Sequence, residues 1–247
     1  MRISAVVITL NEEKNLARCL ASVADWVSEI VVVDSGSTDS TIKIAKKFGS
    51  KIYTRKFDNY ADQKNFADSK ASCEWILSLD ADEEVTEELA REVKISIETL
   101  DCNGFLIPRR NIIFGKEIKY TRWSPDKHVW LFKKSKGSWL GGVHEEIRID
   151  GKVCVLKNAK IHYSHPTVFD FFSMLNSYTD LEAKRKIQNG EHFSLFKMFF
   201  DPLKSFIGRF VYKKGFLDGW RGFVLSYLMG IYRMVTWIKI WEKQKGN

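Results

Sequence analysis

Two carboxylates one residue apart, Asp80 and Asp82, follow the apolar run Trp75 to Leu79. A strand that stops there delivers both acids through backbone geometry, and in open α/β sheets ligands bind outside the carboxyl ends of strands. Oxygen donors of this type suit Mg2+ or Mn2+, which bridge one or two carboxylates to phosphate oxygens. A solvated acidic turn ahead of a helix has the same composition, and Glu83 and Glu84 extend the run. Two earlier apolar runs also end in polar residues, Thr9-Leu10-Asn11-Glu12 and Asp34-Ser35-Gly36-Ser37-Thr38-Asp39. Together the three strand ends would line one crevice. Neither G-x-G-x-x-G nor G-x-x-x-x-G-K-[ST] follows the first run, which leaves out a dinucleotide fingerprint and a P-loop. A nucleotide would then be held through its base, its ribose and a metal-bridged diphosphate. Asp34 suits a uracil N–H or a ribose hydroxyl, and Lys64 suits a phosphate; the plain alternatives are a turn acid and a surface lysine. His144 and His162 offer imidazole to a metal or serve as hydrogen-bonded structural residues. Trp123 and Trp139 stack on sugar faces or pack inside.

The elements that must position these groups follow from hydrophobic periodicity. Over the first hundred residues, short β-branched runs alternate with helical patterns, the signature of β-α-β units and a mainly parallel sheet. Ile3 to Thr9, Glu29 to Val33, Lys51 to Thr54 and Trp75 to Leu79 read as strands. Leu16, Cys19, Leu20 and Val23 form one helix stripe, Ile42, Ala45 and Phe48 a second, and Leu89, Val93, Ile97 and Leu100 a third that Thr86 caps. After Gly104 the short runs at 105–107, 129–132, 146–149 and 153–156 read as antiparallel additions. A helix from about Val168 to Ile187 closes at Gly190. The expected organisation is a catalytic domain over 1–165, with a nucleotide-binding half at 1–100 and an acceptor half at 101–165, then a helical tail over 166–247.

The ordered set Ile8-Thr9-Leu10-Asn11-Glu12-Glu13, Glu29 to Asp39, Gln63-Lys64-Asn65 and Leu79-Asp80-Ala81-Asp82-Glu83 resembles the family 2 glycosyltransferases. The resemblance covers roughly residues 1 to 150 and implies the GT-A fold, the nucleotide-diphospho-sugar transferase α/β fold, with inversion at the anomeric carbon. Trp123-x-Pro125-Asp126, Val143-His144-Glu145 and the Gly- and aromatic-rich tail are similar to the branch of lipopolysaccharide core heptose β-1,4-glucosyltransferases. The resemblance implies that Thr9, Asn11 or Glu12, and Asp34 contact the nucleoside and that Lys64 lies near the diphosphate. It puts Mg2+ or Mn2+ on Asp82, with Asp80 behind it or on the ribose, and His162 is a further candidate ligand. Inversion also needs a base on the acceptor hydroxyl, because the nucleophile loses its proton as it attacks. Many family members carry Glu-Asp where this chain has Glu145-Glu146, which leaves Glu145, Glu146 and Asp126 in competition, with Glu145 preferred. The implied donor is a UDP-sugar, UDP-glucose by the branch, and the implied acceptor a lipid-linked saccharide. A polyprenyl-phosphate or exopolysaccharide sugar transferase of the same family differs only in acceptor.

The net charge of +8 is concentrated late in the chain. Residues 191–247 hold ten Lys or Arg against four acids. Phe223 to Trp241 is nearly apolar enough for a bilayer span, but Arg233 and Lys239 interrupt it and the neighbouring glycines argue against one long helix. The expected tail therefore lies in the interface of an anionic membrane, with Trp220, Tyr227, Tyr232, Trp237 and Trp241 at headgroup level, on the cytoplasmic side. A basic pI also suits nucleic acid, but the acidic crevice and the apolar runs beside the basic excess argue against that partner. A nucleotidyltransferase would open with a Gly-rich basic loop, which Thr9 to Glu13 is not. Four scattered cysteines without metal spacing predict free thiols in a reducing compartment. The Met1-Arg2 start, running straight into a strand, reads as core rather than as a targeting segment.

Overall fold

A computed structural model describes residues 2–141 and 145–245. In chain order the first half contains β1 (Ile3–Thr9), α1 (Leu16–Ala24), β2 (Glu29–Asp34), α2 (Thr41–Lys47), β3 (Lys51–Thr54), α3 (Tyr60–Lys70), β4 (Trp75–Asp80), β5 (Glu83–Glu84) and α4 (Glu87–Thr99). There follow β6 (Gly104–Ile113), β7 (Lys116–Ile118), β8 (Lys127–Lys133), β9 (Gly137–Leu140), β10 (Glu146–Ile149), β11 (Val153–Val155) and β12 (Lys160–His162). Three long helices end the chain: α5 (Val168–Gln188), α6 (Leu195–Ile207) and α7 (Trp220–Lys245). Two compact units result, one from residues 1–110 and 126–162, the other from 111–125 and 163–247.

The first unit is an α/β layer around one sheet of order β3-β2-β1-β4-β8-β6-β12-β5. β1 runs parallel to β2 and to β4, and β2 to β3, so Thr9, Asp34 and Asp80 finish at the same edge. β1, β2 and β4 are buried on both faces, which is why they read as near-continuous apolar runs, whereas β3 is half-exposed. The stripe Leu16, Cys19, Leu20 and Val23 is fully buried against it, and the Thr86 hydroxyl caps α4 by accepting from the Leu89 N–H at 3.2 Å. β8 joins β4 antiparallel, as expected for the added strands. β11 instead lies parallel to β6, with Cys154 opposite Phe105. That register brings Cys154 to Cys102 with Cα atoms 6.1 Å apart, and the two form a disulfide where four free thiols were expected. Their separation of 52 residues gave no sign of it; the pairing of β11 with β6 creates it. Cys19 and Cys73 remain buried thiols.

Helix α3 has no apolar stripe and was not anticipated. It forms because Asn59 caps it, accepting from the Asp62 N–H at 2.9 Å, and because it buries Gln63, Lys64 and Asp68 as well as Ala61 and Ala67.

In the second unit α7 is a single helix of 26 residues, contrary to the expectation that its glycines would break it. Gly222 and Gly230 are sites of close approach: a Cβ on Gly222 would stand 1.8 Å from the Gly215 carbonyl oxygen, and one on Gly230 3.2 Å from that of Pro202. Tertiary packing therefore overrides the poor helix propensity of glycine. The two interrupting cations are also answered, Arg233 by Glu182 at 2.7 Å and Lys239 by the Asn176 side-chain oxygen at 2.9 Å. By length and composition α7 is sufficient to cross a membrane, although much of it is buried. Trp237, expected at headgroup level, is buried, and its indole N–H donates to Asp201 at 2.8 Å. Tyr232 packs on the apolar cluster around Leu225 and Leu228, whereas Trp220, Tyr227 and Trp241 are exposed. Gly222→Ala should destabilise the protein by about 1–3 kcal/mol in urea unfolding through overpacking, and Gly230→Ala should cost less. Equal or enhanced stability of Gly222→Ala would mean that the close approach is absent.

Candidate active site

The parallel strands bring the polar ends together, and the loop after β2 is built from its own side chains. Asp34, buried at the end of β2, accepts from the backbone N–H groups of Gly36 and Ser37 at 2.8 Å each and from the Ser37 hydroxyl at 2.5 Å. Gly36 takes φ +103°, which favours glycine. Asn11, itself left-handed at φ +55°, donates its N–H to Ser37 Oγ at 2.8 Å and accepts the Thr38 N–H at 2.9 Å. Asp34 and Asn11 thus shape the crevice wall, with both Asp34 carboxylate oxygens and the Asn11 amide oxygen engaged in it. Thr9 differs: its hydroxyl is buried with no hydrogen-bond partner among the described residues, an opening for a ligand group.

The centre of the site is Lys64. Its ammonium, almost fully buried, lies 2.9 Å from Glu145 Oε1 and 3.4 Å from Asp80 Oδ1. It also stands over the rings of Trp139 and Trp130, 4.6 and 5.0 Å from their centroids. Burial alone would push the ammonium down, but Asp80 and Glu145 override it and hold it above its ordinary value. Asp80 shows the converse: burial raises it, and Lys64, Lys160, His162 and Arg109 together bring it well below the usual carboxylate range.

Asp82 turns the other way, with Oδ2 at 3.2 Å from His162 Nε2. The antiparallel pairing of β12 with β5 sets His162 opposite Glu83 and so creates that contact. Burial lowers the imidazole, yet the hydrogen bond and charge of Asp82 raise it on balance. Burial, then Asp82, Asp39 and Asp80, push Glu12 up, which shows these carboxylates crowding one region. Among the described residues no three His, Cys, Asp or Glu side chains stand together as a complete ligand set. The donors present, aspartate oxygens beside an imidazole, fit a hard divalent cation that completes its shell with phosphate oxygens and water. Crowded carboxylates are the electrostatic environment such an ion relieves.

The other base candidates are placed differently. Both oxygens of Asp126 are engaged, Oδ2 by Arg109 Nε at 2.7 Å and Oδ1 by His128 Nε2 at 2.8 Å. Glu146 is exposed on β10. His144 lies outside the described residues. Trp139 is buried against Trp130 and Phe132, and Trp123 is a partly buried residue of the second unit's core.

The family model of glycosyl transferase family 2 matches residues 4–148. The chain belongs to glycosyl transferase family 2. An uncharacterized glycosyltransferase of Rickettsia felis is 30% identical to it over 98% of this chain and 90% of its own length. The lipopolysaccharide core biosynthesis glycosyltransferase LpsC of Rhizobium meliloti is 28% identical over 98% of this chain and 92% of its own. Among solved structures, S. aureus TarS 1–349 in complex with UDP-GlcNAc superposes with TM-score 0.51 and 18% identity, covering 74% of this chain and 66% of that one. The fold of this family 2 enzyme is GT-A.

Several groups that organise the site of this glycosyltransferase were not singled out from sequence. Lys160, fully buried, pairs with the equally buried Glu83 and lies over the Trp130 ring; burial brings its ammonium down to about 8 against the pull of Glu83 and Asp80. Glu83 in turn accepts the Asp80 N–H at 2.9 Å and faces Arg109 at 3.4 Å, so one carboxylate fixes the aspartate turn. The alternation Lys160-Ile161-His162, which puts both cationic side chains on one strand face, was the available signal. Asn65 and Asp68 hold β9: Asn65 exchanges two hydrogen bonds with the Trp139 backbone, and Asp68 accepts the Trp139 indole N–H at 2.8 Å. Burial pushes the Asp68 carboxyl up to about 7, although Trp139 and Lys64 pull it down. The fold therefore favours its protonated form. That stabilisation is complete below about pH 4, the ordinary aspartate value, and is lost as pH rises through about 7. Between pH 5 and 8 the wild type should lose stability relative to Asp68→Asn in thermal or urea unfolding; parallel curves would show that Asp68 is ionised throughout.

Proposed function

We propose that this glycosyltransferase inverts the anomeric centre of a UDP-sugar, with glucose as the sugar, and passes it to a hydroxyl of a lipid-linked saccharide such as the lipopolysaccharide inner core. The observation that carries the reading is the single ammonium of Lys64 between Asp80 and Glu145, which joins the Asp80-Ala81-Asp82 turn to the base candidate 81 residues away from Lys64 in sequence. Full-length similarity to LpsC supports the acceptor class, and the resemblance to the core glucosyltransferase branch supports glucose.

Mg2+ or Mn2+ on Asp82, with Asp80 and His162 beside it, would neutralise the departing diphosphate. The chain's own residues do the rest. Glu145, held 2.9 Å from the Lys64 ammonium, accepts the proton of the acceptor hydroxyl at a carboxylate oxygen as that hydroxyl attacks. Asp126 and Glu146 are less suited, the first because Arg109 and His128 take both its oxygens, the second because it is exposed on a strand. The Thr9 hydroxyl, without a hydrogen-bond partner among the described residues, is a donor or acceptor for the nucleoside, and Lys64, turned inward, orients Glu145 and Asp80. The imidazolium of His162 and the metal compete for Asp82, so metal affinity should rise with pH as His162 loses its proton.

A peripheral position on the inner face of the cell membrane fits helix α6. Phe196, Phe199, Phe200, Leu203 and Ile207 recur at i, i+3, i+4, i+7 and i+11 and are all exposed, while Asp201 and Ser205 face α7. An amphipathic helix in water buries its apolar stripe; this one presents it.

Asp82→Ala and Glu145→Gln should each lower transfer from UDP-glucose by about 10²-fold or more. Calorimetry with UDP and Mn2+ should show weakened binding only for Asp82→Ala. Near-normal turnover of Glu145→Gln would reject Glu145 as the base, and metal-independent UDP binding by the wild type would reject the role of Asp82.

A further inference from the structure

The second unit contains a cavity of about 250 Å3 whose wall is cationic: Arg122, Lys186, Lys204, Arg209 and Arg233 line it, with Asp201 as the one acid. The available carboxylates are already committed. Asp201 accepts the Trp237 indole N–H, Glu182 pairs with Arg233 at 2.7 Å, and Glu191 pairs with Lys186 at 2.8 Å. Arg122, Lys204 and Arg209 have no carboxylate partner among the described residues. Arg209 is the most telling of the three. It is partly buried, its Nη1 donates to the neutral Thr121 carbonyl at 2.7 Å, and burial, then Arg122 and Arg233, push its guanidinium down to about 10. A desolvated cation beside two more of the same sign is costly unless an anion joins it.

The segment carrying Arg122 is held in place with local strain. Thr121 and Arg122 take φ +59° and +68°, successive left-handed positions in residues that carry a Cβ. The turn persists because the surroundings fix it. Asp218, buried, accepts the backbone N–H groups of Lys119 and Tyr120 at 3.1 and 2.9 Å, and Asn111 donates to the Trp123 carbonyl at 2.8 Å. Strained turns of this kind recur at ligand clamps.

We propose that Arg122, Lys204, Arg209 and Arg233 form a binding site for a phosphate or diphosphate group, the polar end of an amphiphile bound by the second unit. Guanidinium groups match phosphate oxygens with paired N–H donors, and three of them converge with a lysine on one small cavity. Lys204 also flanks the exposed apolar stripe of α6, so the site borders the surface suited to acyl chains. The phosphate can belong to a membrane headgroup or to a phosphorylated acceptor. The proposal concerns residues outside the transfer site and stands whether or not Glu145 is the base.

The test compares the full-length wild type with Arg122→Gln/Lys204→Gln, and with Arg209→Lys in case the double variant folds poorly. Inorganic pyrophosphate is titrated by calorimetry in EDTA, and vesicles of phosphatidylethanolamine with phosphatidylglycerol, or of phosphatidylcholine alone, are sedimented with each protein. Pyrophosphate affinity should fall by at least about tenfold in the variants. A matching loss on anionic vesicles alone assigns the site to a headgroup; unchanged vesicle binding assigns it to an acceptor phosphate. Equal pyrophosphate affinity in wild type and folded variants overturns the proposal, as does a loss of binding to phosphatidylcholine of the same size as that to anionic vesicles. UDP binding with Mn2+ on the same preparations should be unchanged, which separates failure of this site from failure of the transfer reading.

Discussion

A lysine ammonium removed from water needs its charge answered at close range, and the answer given to Lys64 organises the first unit. Asp80 comes from the end of β4 and Glu145 from the approach to β10, while Lys64 itself rides on α3. Breaking a buried ion pair by removing one partner costs about 3–5 kcal/mol, because the remaining charge is left unanswered. The three segments are therefore bound to one another electrostatically, and the indole faces of Trp130 and Trp139 complete the enclosure on the apolar side. Under the proposed function a carboxylate base must also be aimed, and the contact with the same ammonium would hold Glu145 in place. A second buried cation, Lys160, plays the corresponding part for Glu83, which then holds the backbone of Asp80.

The crevice wall formed by the loop after β2 is built differently. Loops that cradle phosphate usually expose backbone N–H groups to the ligand. Here the N–H groups of Gly36 and Ser37 are taken by Asp34, and that of Thr38 by Asn11. The wall is preformed by internal hydrogen bonds, so ligand binding need not order it. Asp39, Asp80 and Asp82 crowd Glu12 on this side of the crevice, and under the proposed function a divalent cation would offset that negative charge toward a diphosphate.

The second unit inverts the usual placement of polar and apolar groups. On α6 the polar Asp201 and Ser205 face α7, and the phenylalanines face outward. Both acids of this stretch are turned inward, Asp201 to Trp237 and Asp218 to the turn at Lys119 and Tyr120, so the outer surface keeps the cations Lys197, Lys204, Lys213 and Lys214 beside the apolar stripe. A symmetric pairing of two copies through that stripe would bring like charges together, whereas the anionic lipid surface proposed above would meet both features.

The amino-acid sequence alone makes the parallel half-sheet legible, because β1, β2 and β4 are doubly buried strands whose apolar runs leave little else they can be. Their polar ends followed as well, and the ordered motifs identified the family. It also supplied Glu145 and Asp80 as chemically competent groups, without revealing that one lysine joins them. That was decided by tertiary structure, since α3 carries no apolar stripe and buries polar residues whose partners lie far off in the chain. The same holds for Lys160, whose burial depends on Glu83, and for the disulfide, which depends on β11 lying parallel to β6. Local periodicity reports which face an element buries; it carries no information on which distant charge will be opposite. The glycines of α7 make the point most simply: propensity marks them as breaks, and only the carbonyl oxygens packed against them show why they are there.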